Sequence, residues 1–175
     1  MYKTEIIKKA KEVLDEYGKG SFPVDVTDMC NKLSIRIFYR DLKELEAKAN
    51  RKISGLIYVN KSKDAFADKE RFIFINDNDP ETRQKFTLAH ELGHFFLHMK
   101  DDADGVIISF RGDKNPIERE ADIFAAELLM PKHLIEQEYR DIPFPTASYL
   151  ASQFGVSKEA MRYRLDEMGL AYIGG

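Results

Sequence analysis

Several common ways of stapling or addressing a protein are missing from this chain. Its 175 residues include one cysteine, Cys30, so no intrachain disulfide can form, as expected in a reducing compartment. Set among Val26, Met29 and Leu33, Cys30 reads as a small core residue rather than a nucleophile. No apolar run approaches the ~18 residues needed to cross a bilayer. The opening residues, MYKTEIIKKAKEV, alternate charge with aliphatics and lack the apolar core of a signal peptide. No sign of charge dominates: 27 Lys and Arg against 30 Asp and Glu leave a net charge of -3, which gives no global attraction to nucleic acid or membrane. Repeats and low-complexity tracts are also lacking. These absences lead us to expect a soluble cytoplasmic protein without a membrane partner. What is present is ordinary globular material, 43% hydrophobic and 33% charged, enough for one compact core.

Residues 3–17 place Ile6, Ile7, Ala10, Val13, Leu14 and Tyr17 at helical spacing, with Gly18 and Gly20 to end the helix. Pro23 suits the start of a short helix running to Leu33. Three β-rich runs follow at 35–39, 53–59 and 71–75, with a long polar hairpin loop at 60–70 between the last two. Asp79 and Pro80 read as a helix start, and the helix should reach about Met99. Residues 100–116 read as a break with Val106–Ile108 inside it, followed by an apolar helix from 117 to 130 and further helical pieces divided by Pro143, Pro145 and Gly155. The expected class is α+β, with a small antiparallel sheet. We place the main core at 1–147 and a helix-turn-helix-like segment at 148–175.

The chemistry is concentrated at His90-Glu91-Leu92-Gly93-His94. Residues four apart share a helix face, ~6 Å apart along the axis, so His90 and His94 can converge on one zinc ion. Glu91 projects beside that ion, where a general base for an attacking water belongs. His98 continues the same face but lies ~12 Å along the axis from His90, too far to share its ion. It reads as packed or hydrogen-bonded at the helix end. A metzincin would need Gly and His where this chain has Leu97 and Lys100. The third ligand must therefore come from another element.

The best source is the helix at 117–130, where Glu118, Ala121, Asp122, Ala125 and Leu129 share a face. Its alanines allow close approach of another helix, so Glu118 could reach the zinc and Asp122 could accept a hydrogen bond from the far nitrogen of a ligating histidine. Spacing alone leaves open that both acids belong to a solvated face beside Arg119. Glu127 lies ~13 Å along the axis from Glu118, and Glu120 is turned about 200° away toward Ile123 and Phe124. We therefore expect zinc to stay bound without Glu120.

Phe-Thr-Leu-Ala-His-Glu-Leu-Gly-His at 86–94, with Glu-x-x-Ala-Asp-x-Phe-Ala-Ala-Glu-Leu-Leu-Met-Pro at 118–131, resembles the ImmA/IrrE family of metallopeptidases. Ile73–Asn76 ahead of the first motif, and Gly155-Val156-Ser157 with 160–165 after the second, fit the same pattern. The resemblance spans about residues 20–170. It implies a zincin-like fold and one zinc ion per chain held by His90, His94 and Glu118, with Glu91 catalytic. It further implies cleavage of helix-turn-helix repressors of phage, mobile-element or stress-response systems. Asp122 stands where the family more often has Asn, and should serve the same hydrogen-bonding role.

Residues 148–169 read as a helix-turn-helix, with Ser157 capping its second helix and Met161 and Leu165 facing inward. Lys158, Arg162 and Arg164 are its possible DNA donors, but Glu159, Asp166 and Glu167 offset them, which argues for packing or partner docking over direct DNA contact. Asp101, Asp102 and Asp104 lack the ligand series of a calcium loop and read as a solvated loop, with a role as a lip over the zinc cleft open. His133 and Tyr139 are conceivable oxyanion donors. The whole reads as a zinc endopeptidase acting on a protein substrate through a zinc-activated water. The alternative is a non-catalytic zinc-containing regulator that binds a repressor or DNA.

Overall fold

The computed structural model describes residues 1–18, 22–60, 70–99 and 105–173. The expected hairpin loop and the acidic loop fall on 61–69 and 100–104, outside the described residues. Helix α1 (Lys3–Tyr17) buries Ile6, Ala10 and Val13 and ends where the Gly18 amide donates to the Leu14 carbonyl. The Asp25 side chain accepts from the Asp28 amide and opens α2 (Val26–Lys32), which leads into β1 (Arg36–Arg40). A short α3 (Lys43–Ala49), absent from the sequence reading, precedes β2 (Ile53–Asn60) and β3 (Glu70–Asn76). Then come α4 (Glu81–Leu97), β4 (Gly105–Phe110), α5 (Pro116–Leu129), α6 (Lys132–Arg140), α7 (Ala147–Phe154) and α8 (Lys158–Met168).

The α+β class holds, and the zincin-like arrangement with it, but the sheet departs from expectation in two respects. It has four strands in the order β1-β3-β2-β4. The stretch read as a break contains β4, paired antiparallel with β2. Polar residues flank those few β-branched ones, so periodicity had no length in which to appear. The β1–β3 pair is parallel, whereas β2 is antiparallel to both neighbours. The chain leaves β1 through α3 rather than a tight turn, so β1 joins the sheet beyond β3, not beside β2.

Ile57 and Ile73 lie opposite each other across the sheet and are fully buried beneath the helices. Helix α4 lies on this face, α5 packs on α4, and α1 packs on α5. One continuous core joins Ile57, Leu92, Phe124 and Leu128 to Phe154, Met161 and Leu165 of the C-terminal helices. Cys30 is buried in that core, as expected of a packing residue. Among the described residues, no helix is long and apolar enough to cross a membrane.

Candidate metal centre

Two sequence devices bring α4 and α5 into register. Asn115 caps α5 by accepting from the Glu118 amide at 3.0 Å, and Pro116 begins the helix, so Glu118 occupies the first turn. Gly93, inside the His-Glu-Leu-Gly-His run, faces Ala121. A methyl group at 93 would stand 3.1 Å from the Ala121 Cα, closer than side chains ordinarily approach. Glycine and alanine thus let the two backbones nearly touch, at the cost glycine carries in a helix interior.

The close approach brings Glu118 between the two histidines. His90 Nε2 and His94 Nε2 are 3.0 Å apart, Glu118 Oε2 is 3.1 Å from the former, and Glu118 Oε1 is 3.2 Å from the latter. All three residues are buried. Donors bound tetrahedrally to zinc at ~2.0–2.1 Å sit ~3.3 Å from one another, so the trio has the spread such an ion requires. Asp122, one turn beyond Glu118, has Oδ1 at 2.9 Å from His90 Nδ1 and accepts that nitrogen's proton when Nε2 is turned to an ion. Glu118 is buried rather than on a solvated face, whereas the Asp122 side chain is 55% exposed. Without metal, burial disfavours the cationic form of His90, but hydrogen bonds to Asp122 and Glu118 outweigh it and raise its pKa to about 10. Burial opposes ionisation of Glu118 too, yet both histidines hold it down at about 2. Burial, with the charge on His90, lowers His94.

Glu91 is turned toward the sheet. It is fully buried, and neither carboxylate oxygen has a hydrogen-bond partner among the described residues. Burial pushes its pKa up to about 7, against the opposing charge of His90. Room for it comes from Gly55 in the middle of β2. A methyl group at 55 would meet Glu91 Oε1 at 3.0 Å and Thr87 Cγ2 at 2.8 Å. Sequence reasoning passed over Gly55, although a glycine inside a strand often marks such a close approach.

Comparison with known proteins places this architecture. A family profile for peptidase M78, the IrrE N-terminal-like domain, matches residues 30–166. The chain belongs to this family. It is 28% identical over 170 residues to metallopeptidase ImmA of Bacillus subtilis (strain 168), covering 97% of this chain and 89% of that protein. It is 35% identical over 108 residues to the radiation response metalloprotease IrrE of Deinococcus radiodurans, covering 59% of this chain and 33% of that protein. An uncharacterized immunity region protein 2 of Bacillus phage phi105 is 32% identical over 91 residues, covering 52% of this chain and 56% of its own length. The chain is thus a metallopeptidase of the ImmA/IrrE type.

In this member of the family, a cavity of about 260 Å³ opens beside the donor trio, with His90, Glu118 and Asp122 in its wall and Arg83, Arg111 and Lys114 as its cations. A second cavity of about 550 Å³, between α4, α5 and α8, shares Arg83, Phe86 and Asp122 with the first. The sequence reading missed Arg83 and Arg111, whose approach depends on how the loop after β4 meets α4. Neither His133 nor Tyr139 lines either cavity. The Tyr139 hydroxyl donates to the Ala171 carbonyl at 2.5 Å instead. Arg164, counted among the DNA donors, is buried: it donates to the Met130 carbonyl at 3.1 Å and pairs with Glu127 and Glu167, each at 2.7 Å. His98 is hydrogen-bonded at the end of α4, as expected, but Glu120 departs from expectation. Glu120 Oε2 is 2.9 Å from His98 Nε2, so the side of α5 opposite Glu118 still faces the end of α4.

Proposed function

We propose that the chain is a zinc endopeptidase holding one ion on His90, His94 and Glu118, and that it cleaves a helix-turn-helix transcriptional repressor of a phage, mobile-element or stress-response system. The observation that carries the reading is the convergent donor trio next to Glu91, a carboxylate buried without a partner. An unpartnered buried carboxylate costs stability and points to a functional demand. The words "immunity region" and "radiation response" in the relatives' names support the regulatory setting. The single buried cysteine fits a reducing, cytoplasmic one.

A zinc ion at this site supplies Lewis acidity to water and to the scissile carbonyl. Asp122 keeps a proton on His90 Nδ1, which leaves Nε2 free to ligate. A Glu91 oxygen takes the proton released by the attacking water and passes it to the leaving amine. Arg83 and Phe86, common to both cavities, line a path by which a peptide can pass from the donor trio toward α8.

The test is incubation of the zinc-loaded chain with a purified helix-turn-helix repressor from the same organism, with products read by mass spectrometry. Wild type should cut at one position. Glu91→Gln should hold zinc and cut nothing. If Glu91→Gln cleaves at the wild-type rate, the role of Glu91 is wrong. If wild type binds the repressor but leaves it intact, the non-catalytic regulator takes the place of this reading.

A further inference from the structure

Among the described residues, the outer nitrogen of His94 meets a histidine where that of His90 meets a carboxylate. Its Nδ1 lies 2.9 Å from Nδ1 of His98, and Nε2 of His98 lies 2.9 Å from Glu120 Oε2. His98 is the residue that ends α4; its amide donates to the His94 carbonyl at 2.9 Å, and the two rings lie tilted with centroids 5.1 Å apart. Both partners are largely enclosed, with side chains of His98 and Glu120 11% and 17% exposed.

The proton positions follow from the geometry. Two ring nitrogens 2.9 Å apart must share one proton, since two would repel and none would leave two lone pairs facing. If His94 ligates through Nε2, its remaining proton lies on Nδ1 and is donated to His98 Nδ1. His98 then carries its own proton on Nε2 and donates it to Glu120. Every donor in the row has an acceptor, and the row ends on a carboxylate.

We infer that His98 and Glu120 are positioning residues of the metal site, fixing the tautomer and ring orientation of His94 as Asp122 fixes those of His90. The inference rests on the zinc-site reading above. It also revises the sequence-based expectation for Glu120. Its loss should leave zinc bound, but more weakly, although Glu120 never touches the ion. Each of the two helices thus contributes to both histidines: α5 orients His90 through Asp122 and His94 through Glu120 with His98 between.

Zinc affinity, measured by competition with a chromophoric chelator at fixed pH, tests the inference without any substrate. His98→Ala should weaken binding by on the order of 10–100-fold, the usual effect of losing such a partner. His98→Gln, whose side-chain carbonyl can accept from His94 Nδ1, should recover much of that loss. Glu120→Ala should act in the same direction as His98→Ala, and the double variant should lose less than the product of the two single effects. Melting of the metal-free variants separates folding from binding. In nitrogen-15 spectra of the zinc-loaded wild type, His98 should show the chemical shifts of a neutral ring carrying its proton on Nε2, and the His94 Nδ1 proton should exchange slowly. If His98→Ala binds zinc as tightly as wild type, or if His98→Gln is as weak as His98→Ala, the positioning role is overturned while the metallopeptidase reading stands. A wild-type chain that takes up no zinc overturns both.

Discussion

Among the described residues neither oxygen of Glu91 has a hydrogen bond of good geometry, and its pKa stands near 7 in the metal-free chain because burial penalises the charged form more than His90 and the nearby Ser109 hydroxyl favour it. In the unfolded chain the same group would ionise near 4.5. Between those values the folded state binds more protons than the unfolded one, so the sign is fixed: Glu91 removes stability as pH rises from 4.5 through 7. Glutamine at this position never ionises. Metal-free Glu91→Gln should therefore melt at a higher temperature than metal-free wild type at pH 8, by an amount on the order of 1–3 kcal/mol, with the gap closing toward pH 5. Differential scanning calorimetry of chelator-treated protein provides the measurement. A gap that does not widen with pH would mean that Glu91 does not carry the burial penalty.

The contact between α4 and α5 depends on side chains that are barely there. Gly93 and the fully buried Ala121 leave less than a methyl group's room between the backbones, and Glu118 reaches the histidines because of that close approach. Gly93→Ala would gain helix propensity of about 1 kcal/mol, but its Cβ would meet the Ala121 Cα at 3.1 Å and carbonyl oxygen at 3.2 Å. Both of those are backbone atoms, so the helices must part. We expect a net destabilisation of about 1–3 kcal/mol from the overpacking and weaker zinc binding, since Glu118 moves with α5. Urea unfolding and chelator competition on the same preparation check both. Unchanged affinity with unchanged stability would show that the helix pair tolerates the methyl group.

The C-terminal helices share the core of the rest of the molecule, and one buried cation ties them to it. Arg164 of α8 reaches Glu127 and the Met130 carbonyl of the α5 end, while its partner Glu167 comes from its own helix. Its side chain is 4% exposed, so removing it leaves the largely buried Glu127 without its cation. Arg164→Ala should cost roughly 3–5 kcal/mol, read as a shift in the urea midpoint, whereas Lys158→Ala, half-buried in the first turn of α8, should change little. A loss below about 1 kcal/mol would show that apolar packing alone docks α8.

The chain's own sequence carried what depends on short spacing along one element. The pair His90 and His94 at one helical turn, Glu91 beside them, the Ser157 cap and the inward Met161 and Leu165 all follow from 3.6-residue periodicity, which needs no knowledge of neighbours. The shared face of Glu118, Ala121 and Asp122 was legible too, but not what it faced. Only the tertiary structure decided that α5 meets α4 at Gly93, that Gly55 leaves space for Glu91, and that β1 runs parallel to β3. It also turned Arg164 inward and brought Glu120 to His98, against the sequence-based expectation for both. The physical reason is common to these cases. Helical phase gives a side chain's direction around its own axis, whereas its partner depends on where a second element crosses, and that is set by packing the whole core.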